Sequence, residues 1–144
     1  MRSILSMRSI FLRAFVLPAA ALAFGCSGDI NDFPTTPDPV IVTETFTGTL
    51  NVNGAATHTV FTGATGTVTA TLTSLGENAP AKVGFSMGTL AGSTCTVVLH
   101  NDNAVVTSIL SGTVSTLAGS LCVRVYDVGS LTESVSYTFT VTHP

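Results

Sequence analysis

Two segments of this chain alternate strictly between apolar and polar residues, which constrains the fold more than any other feature. They are residues 67–73 and 135–142. Successive side chains of a strand point to opposite faces, so this alternation predicts strands with one buried and one wetted face. Thr supplies most of the polar positions, because its β-branch favours extended backbone and its hydroxyl bonds to water.

Six further segments have the composition of short strands and are punctuated by glycines near the expected turns. They are 42–50, 57–62, 81–89, 93–100, 104–110 and 120–127. No window shows sustained helical periodicity. The sequence therefore predicts an all-β fold, a single antiparallel β-sandwich of about eight or nine strands in residues 40–144.

The first 25 residues have the layout of an export signal. Arg2, Arg8 and Arg13 accompany an apolar run over 14–24, which is too short for a membrane span of about 20 residues. The segment resembles a bacterial lipoprotein signal, with small Gly25 before Cys26. The resemblance implies that Cys26 is the lipidated first residue of a cell-envelope protein, at the outer membrane or the cell surface. Cleavage after residue 23, leaving Cys26 as a thiol, and a start at Met7 are open alternatives.

Residues 26–39 are predicted to be a linker between that anchor and the domain. Pro34, Pro37 and Pro39 fix φ and lack N–H donors, which disfavours helix and central strand. At about 3 Å per residue the linker holds the domain some 30–40 Å from its anchor.

Charge excludes nucleic acid as a partner. After the signal, two basic residues, Lys82 and Arg124, stand against eight acidic ones, a formal net charge of −6. Nucleic-acid binding needs clustered Lys and Arg. The expected partners are the membrane, through the lipid on Cys26, and an envelope protein or extracellular polymer.

The domain as a whole resembles the bacterial pre-peptidase C-terminal (PPC-like) family. The opening motifs lie at 45–50, 57–62 and 66–72, and the segments 121–127 and 135–141 are similar to that family's last hairpin. The resemblance implies a jelly-roll-like β-sandwich. Such domains are usually appended to secreted hydrolases, where they assist export or bind substrate polymers. His58 stands where the family has an aromatic residue, and we expect no catalytic domain beside the sandwich.

Cys95 and Cys122 lie within predicted strands and, after export to an oxidising compartment, are predicted to form a disulfide. A pair of metal-binding thiols is the alternative. His58, His100 and His143 are far apart in sequence, which favours isolated imidazoles over a zinc or copper site. Asn101, Asp102 and Asn103 offer oxygen ligands to Ca²⁺. The same residues suit a turn, which we favour.

No catalytic constellation stands out, and no Gly-x-Ser-x-Gly elbow occurs. We expect a non-enzymatic protein without a cofactor. Arg124 and Tyr126 share one strand face with Cys122 and are candidate contacts to a glycan or peptide. Alternatively, Arg124 pairs with Glu133 across the last hairpin. The leading hypothesis is a surface-tethered binding or envelope-associated module. The alternatives are a structural subunit that assembles through strand edges and an accessory protein that aids a secreted hydrolase or binds a polymer.

Overall fold

The computed structural model describes residues 37–144, apart from 78 and 81, as an all-β domain of eight strands. The strands are β1 Val42–Leu50, β2 Ala55–Thr62, β3 Gly66–Leu75, β4 Val83–Ala91, β5 Thr94–Ala104, β6 Ile109–Val114, β7 Gly119–Tyr126 and β8 Val135–His143. In this part of the chain no helix is long and apolar enough to cross a bilayer. The predicted signal, Cys26 and most of the linker lie outside the described residues and stay predictions.

The strands form two four-stranded antiparallel sheets, and their order is jelly-roll-like. Sheet A has the order β1-β8-β3-β6, and sheet B has the order β2-β7-β4-β5. Only β4 and β5 are consecutive strands that pair with each other; every other connection passes from one sheet to the other. The predicted single antiparallel sandwich is confirmed. The expected hairpin of the last two strands is wrong, because β7 and β8 lie in different sheets.

Alternation along the strands fills the space between the sheets. In β8, Val135, Tyr137, Phe139 and Val141 are buried, and the residues between them face outward. Phe139 in sheet A meets Phe85 in sheet B, with ring centroids 5.7 Å apart. Beside them His58 bonds through Nε2 to the Tyr137 hydroxyl at 2.7 Å. Burial lowers the pKa of His58. The residue in the expected aromatic position therefore packs inside the sandwich.

The prediction of a strand over 104–110 is wrong. Strand β5 ends at Ala104, the chain turns through residues 105–108, and β6 begins at Ile109. Thr107 adopts a left-handed φ of 80° in this turn, and the Ser108 hydroxyl accepts the Val105 N–H. Val105 and Val106 continued the apolar pattern of a strand, but the chain must leave sheet B at this point to reach sheet A.

The β4–β5 hairpin curls over the outer face of sheet B, and the disulfide closes this curl. The register shifts between Met87 and Gly88. Beyond that bulge the backbone of Thr96 lies so close over Gly88 that a Cβ there would overlap it. Only glycine allows this approach. The curl brings Cys95 within 5.8 Å (Cα–Cα) of Cys122 on the strand beyond β4, and the predicted disulfide between them is confirmed.

Candidate functional site

The outer face of sheet B carries a depression of about 380 Å³, which we call the outer-face depression. Strand β7 places Arg124 and Tyr126 there, because Leu121, Val123 and Val125 occupy its inward positions. The lining residues are Asn53, Gly54, Ala55, Ser86, Val97, His100, Arg124, Tyr126 and Asp127. The predicted ligand contacts are therefore brought together with residues of β2, β4, β5 and the loops beside them.

Arg124 lies along the sheet between two neighbouring strands. Its register partners are Thr57 on β2 and Ser86 on β4. The Arg124 Nε and the Ser86 Oγ are both buried, and neither has a hydrogen-bond partner among the described residues. Within residues 37–144, leaving aside 78 and 81, no carboxylate reaches ion-pair distance of the guanidinium. The alternative pairing with Glu133 is wrong, since β7 and the segment before β8 do not form a hairpin.

Tyr126 forms one wall of the depression and is held at both ends. Its ring lies over Gly84, where any Cβ would overlap the ring. Its hydroxyl donates a hydrogen bond to Asp102 Oδ1 on β5. Burial, the hydrogen bond to Asp102 and the charge of that carboxylate raise the pKa of Tyr126 to about 12. Because the Tyr126 hydroxyl already bonds to Asp102, the ring is the part of this side chain that a ligand would contact.

Replacing Asp102 by Asn should lower the pKa of Tyr126 from about 12, because the negative charge beside the phenol is lost and the neutral amide oxygen of Asn is a weaker acceptor than a carboxylate oxygen. The value should stay above the ordinary 10.0, since burial of the phenol persists. The measurement is absorbance of tyrosinate during an alkaline titration. Tyr137, which contacts His58 instead, is the internal reference. An unchanged titration curve would contradict the contact.

Asp127 supplies a fixed negative charge at the rim. Its Oδ2 accepts the Asn53 N–H at 2.8 Å. Its Oδ1 accepts the N–H groups of Gly129, Ser130 and Leu131 at 2.8, 2.8 and 3.1 Å. These backbone donors, that of Asn53 first, lower the pKa of the carboxyl. Asp127 is therefore ionised at neutral pH and organises the two loops at this end of the sheet.

The segment predicted as a turn lies in strand β5 instead. Val83 pairs with Ala104 and Phe85 with Asn101, so the single residue Gly84 faces two residues of β5, Asp102 and Asn103. This bulge is bridged by Asn101, whose Oδ1 accepts the Asn103 N–H at 2.9 Å. Asn103 Oδ1 in turn accepts from Lys82 Nζ at 2.7 Å. The Asx side chains do bond back to the chain, as expected, but they stabilise a bulge.

The three candidate calcium ligands have one internal partner each. Asn101 bonds to the backbone, Asp102 to Tyr126 and Asn103 to Lys82. The three histidines lie on β2, β5 and β8. In the described ranges no group of three or more His, Cys, Asp or Glu side chains is arranged to hold a metal ion.

A second depression opens between the two edge strands β5 and β6. This edge cleft has a volume of about 220 Å³ and an apolar lining that includes Val68, Met87, Val98, Leu99 and Leu121. The Val98 side chain remains 65% exposed. An edge strand presents unpaired backbone N–H and C=O groups. Because β5 and β6 are both edge strands, another strand can add beside this apolar cleft.

Four residues of the outer face were not predicted to belong to a site: Ser86, His100, Asp127 and Phe61. Phe61 is 70% exposed on the outward face of β2, at the end of the strand away from Arg124. The alternation of β2 placed Phe61 with Thr57 and Thr59, which is a usable signal in the sequence. No pattern in the sequence pointed to Ser86 and His100, because they lie near Arg124 only through the order of the strands in sheet B.

The chemistry that these residues offer is that of binding. A guanidinium, a hydroxyl and an imidazole converge on an open depression whose lining is part polar and part apolar, which suits a ligand that accepts hydrogen bonds. The Ser86 hydroxyl has no hydrogen-bonded base beside it among the described residues. Comparison of the chain with protein-family models and with curated proteins gives no match.

Proposed function

We propose that this protein is a non-enzymatic, envelope-tethered binding module whose ligand face is the outer face of sheet B. One observation carries the proposal: Arg124 lies at the outer-face depression with a buried Nε that no described residue satisfies. A guanidinium on a sheet face whose donors lack partners can bind a ligand that supplies hydrogen-bond acceptors.

The layout of the domain agrees with this role. The chain enters the sandwich at β1, an edge strand of sheet A, so the linker joins the sheet that does not carry the depression. The disulfide joins the β4–β5 hairpin to β7, where Arg124 and Tyr126 lie, and the two bulges in the hairpin curve β5 toward that strand. Most of the ligand face, including Arg124 and Tyr126, is thus built on paired strands, which keeps its contacts in place.

The tether is tested by replacing Cys26 with Ser. Lipid attachment needs the thiol, so the variant should move from the membrane fraction to the soluble fraction of the cell, detected by immunoblotting. The double variant Cys95→Ala/Cys122→Ala removes the other two cysteines, which form the disulfide, and should stay with the membrane. If the Cys26→Ser protein also stays there, the anchor is wrong.

The released Cys26→Ser protein also tests the ligand face. Mixed with washed envelope material and sedimented, it should bind, and Arg124→Ala should reduce the bound fraction about tenfold, as loss of a charge-assisted contact does. Lys82→Ala removes the same charge outside the depression and should bind like the parent. Equal binding of Arg124→Ala and its parent would remove the outer face as the ligand face.

Assembly through strand edges is a second candidate function, which the edge cleft favours. Copies of the chain would then pair through β5 or β6. Size-exclusion chromatography of the released protein separates the two candidates. The binding module elutes as a monomer at high concentration, and the structural subunit elutes as an oligomer.

A further inference from the structure

The ligand of the outer-face depression must supply hydrogen-bond acceptors. The Arg124 Nε–H and the Ser86 hydroxyl, which sit directly opposite each other in the register of β7 and β4, are both buried without partners among the described residues. Buried donors without partners are unfavourable. Because neither atom is exposed to solvent, a ligand oxygen satisfies them only when the two side chains turn toward the depression that they line. A neutral apolar ligand leaves both unsatisfied.

The shape of the guanidinium narrows the choice of acceptor. Its planar N–H groups form parallel hydrogen bonds to two oxygens of one group, as a carboxylate or phosphate presents them. Lys82, the other basic residue of the described part, donates to Asn103 and does not line the depression. Among the described residues that line the depression, Arg124 is therefore the one that is always a cation, and it has to hold the ligand's charge.

The surrounding charges separate a carboxylate from a phosphate. Asp127 lines the depression and Asp102 accepts the hydrogen bond of Tyr126, so two carboxylates lie in the vicinity of one guanidinium without reaching ion-pair distance. A phosphate carries nearly two negative charges. Its cost of leaving water grows with the square of that charge, whereas its attraction to the single Arg124 grows only in proportion to it, so a monoanion is favoured. The volume of about 380 Å³ is at the lower end of small-ligand pockets. It suits a terminal group, with Ala55, Val97 and the Tyr126 ring as walls.

We propose that the outer-face depression binds a carboxylate monoanion through Arg124. This inference rests on the proposed function and specifies its ligand chemistry. Two sources carry such a group on an extracellular polymer: the C-terminal carboxylate of a peptide and the carboxylate of an acidic sugar. Both present the same two oxygens to the guanidinium, and they differ in what packs against the walls.

The test follows the Arg124 Nε–Hε signal by nuclear magnetic resonance in the isotope-labelled, detergent-purified full-length protein. That signal is the one missing from the Arg124→Lys variant. The probes are trialanine, its C-terminal amide, glucuronate, glucose and inorganic phosphate. Trialanine or glucuronate should shift the signal saturably, and the amide and glucose should not. Arg124→Lys, which is followed through the backbone amide signals of the depression because it lacks the guanidinium signal, should bind the active acid about tenfold more weakly, since a point-like ammonium replaces the planar donor pair. Lys82→Gln should match the wild type.

Each outcome decides the inference. A response to trialanine alone identifies the peptide source, and a response to glucuronate alone identifies the sugar source. Equal shifts with trialanine and its amide, tighter binding of phosphate, or no shift with any probe at tens of millimolar would overturn it. In those cases the proposed function is judged separately by sedimentation with envelope material, where Arg124→Ala tests the face without assuming a carboxylate.

Discussion

Replacing both Cys95 and Cys122 by Ala should lower the free energy of unfolding by about 3.5 kcal/mol. The bridge closes a loop of 27 residues, and the loss of chain entropy in the unfolded state gives this figure. It is a large share of the roughly 5–15 kcal/mol that stabilises a typical domain. The effect should be large here because the bridge joins β5 to β7 across the intervening β4 and thereby holds the curl over Gly88.

Urea unfolding followed by circular dichroism measures this change, with and without reductant. Reductant should lower the stability of the wild type to that of the double variant and leave the double variant unaffected. This control separates the covalent bridge from the packing of the two side chains. If the reduced and oxidised wild type unfold at the same urea concentration, the bridge does not stabilise the fold.

Alternation was enough to predict the strands but not their ends. The pattern over 42–50 matches β1, and the pattern over 135–142 falls one residue short of the end of β8. Errors arose where an apolar run continued through a crossover, as at Val105 and Val106. The bulges at Gly84 and Gly88 could not be predicted either, since they depend on the register between β4 and β5.

The candidate site was partly visible in the sequence. The alternation of side chains along β7 predicted that Cys122, Arg124 and Tyr126 share one face, and the structure has them there. The neighbours of Arg124 were not visible. Glu133 is close in sequence but belongs to a segment that leads into sheet A, whereas Ser86 is far in sequence and lies opposite Arg124 in the register. Sheet order is a global property of the packed core, and local patterns do not determine it.

Replacing Phe139 by Ala should destabilise the domain by about 3–5 kcal/mol, the range for deleting a fully buried aromatic ring. Phe139 is completely buried on β8, an interior strand of sheet A. Its ring lies 5.1 Å from that of Phe46, 5.2 Å from that of His58 and 5.7 Å from that of Phe85. Deletion therefore removes the contact that joins the two sheets as well as the support of the His58–Tyr137 pair. The cavity it leaves lies between two paired sheets, and the cost within this range depends on how far they close on it.

Phe61→Ala is the matched control, because it makes the same chemical change on a side chain that is 70% exposed. It should alter the free energy of unfolding by less than about 0.5 kcal/mol, as surface substitutions do. Urea unfolding of both variants gives the comparison directly. Equal losses in the two would mean that the aromatic cluster does not form the core of the sandwich. A large loss for Phe139→Ala alone would establish that the two sheets depend on this ring for their packing.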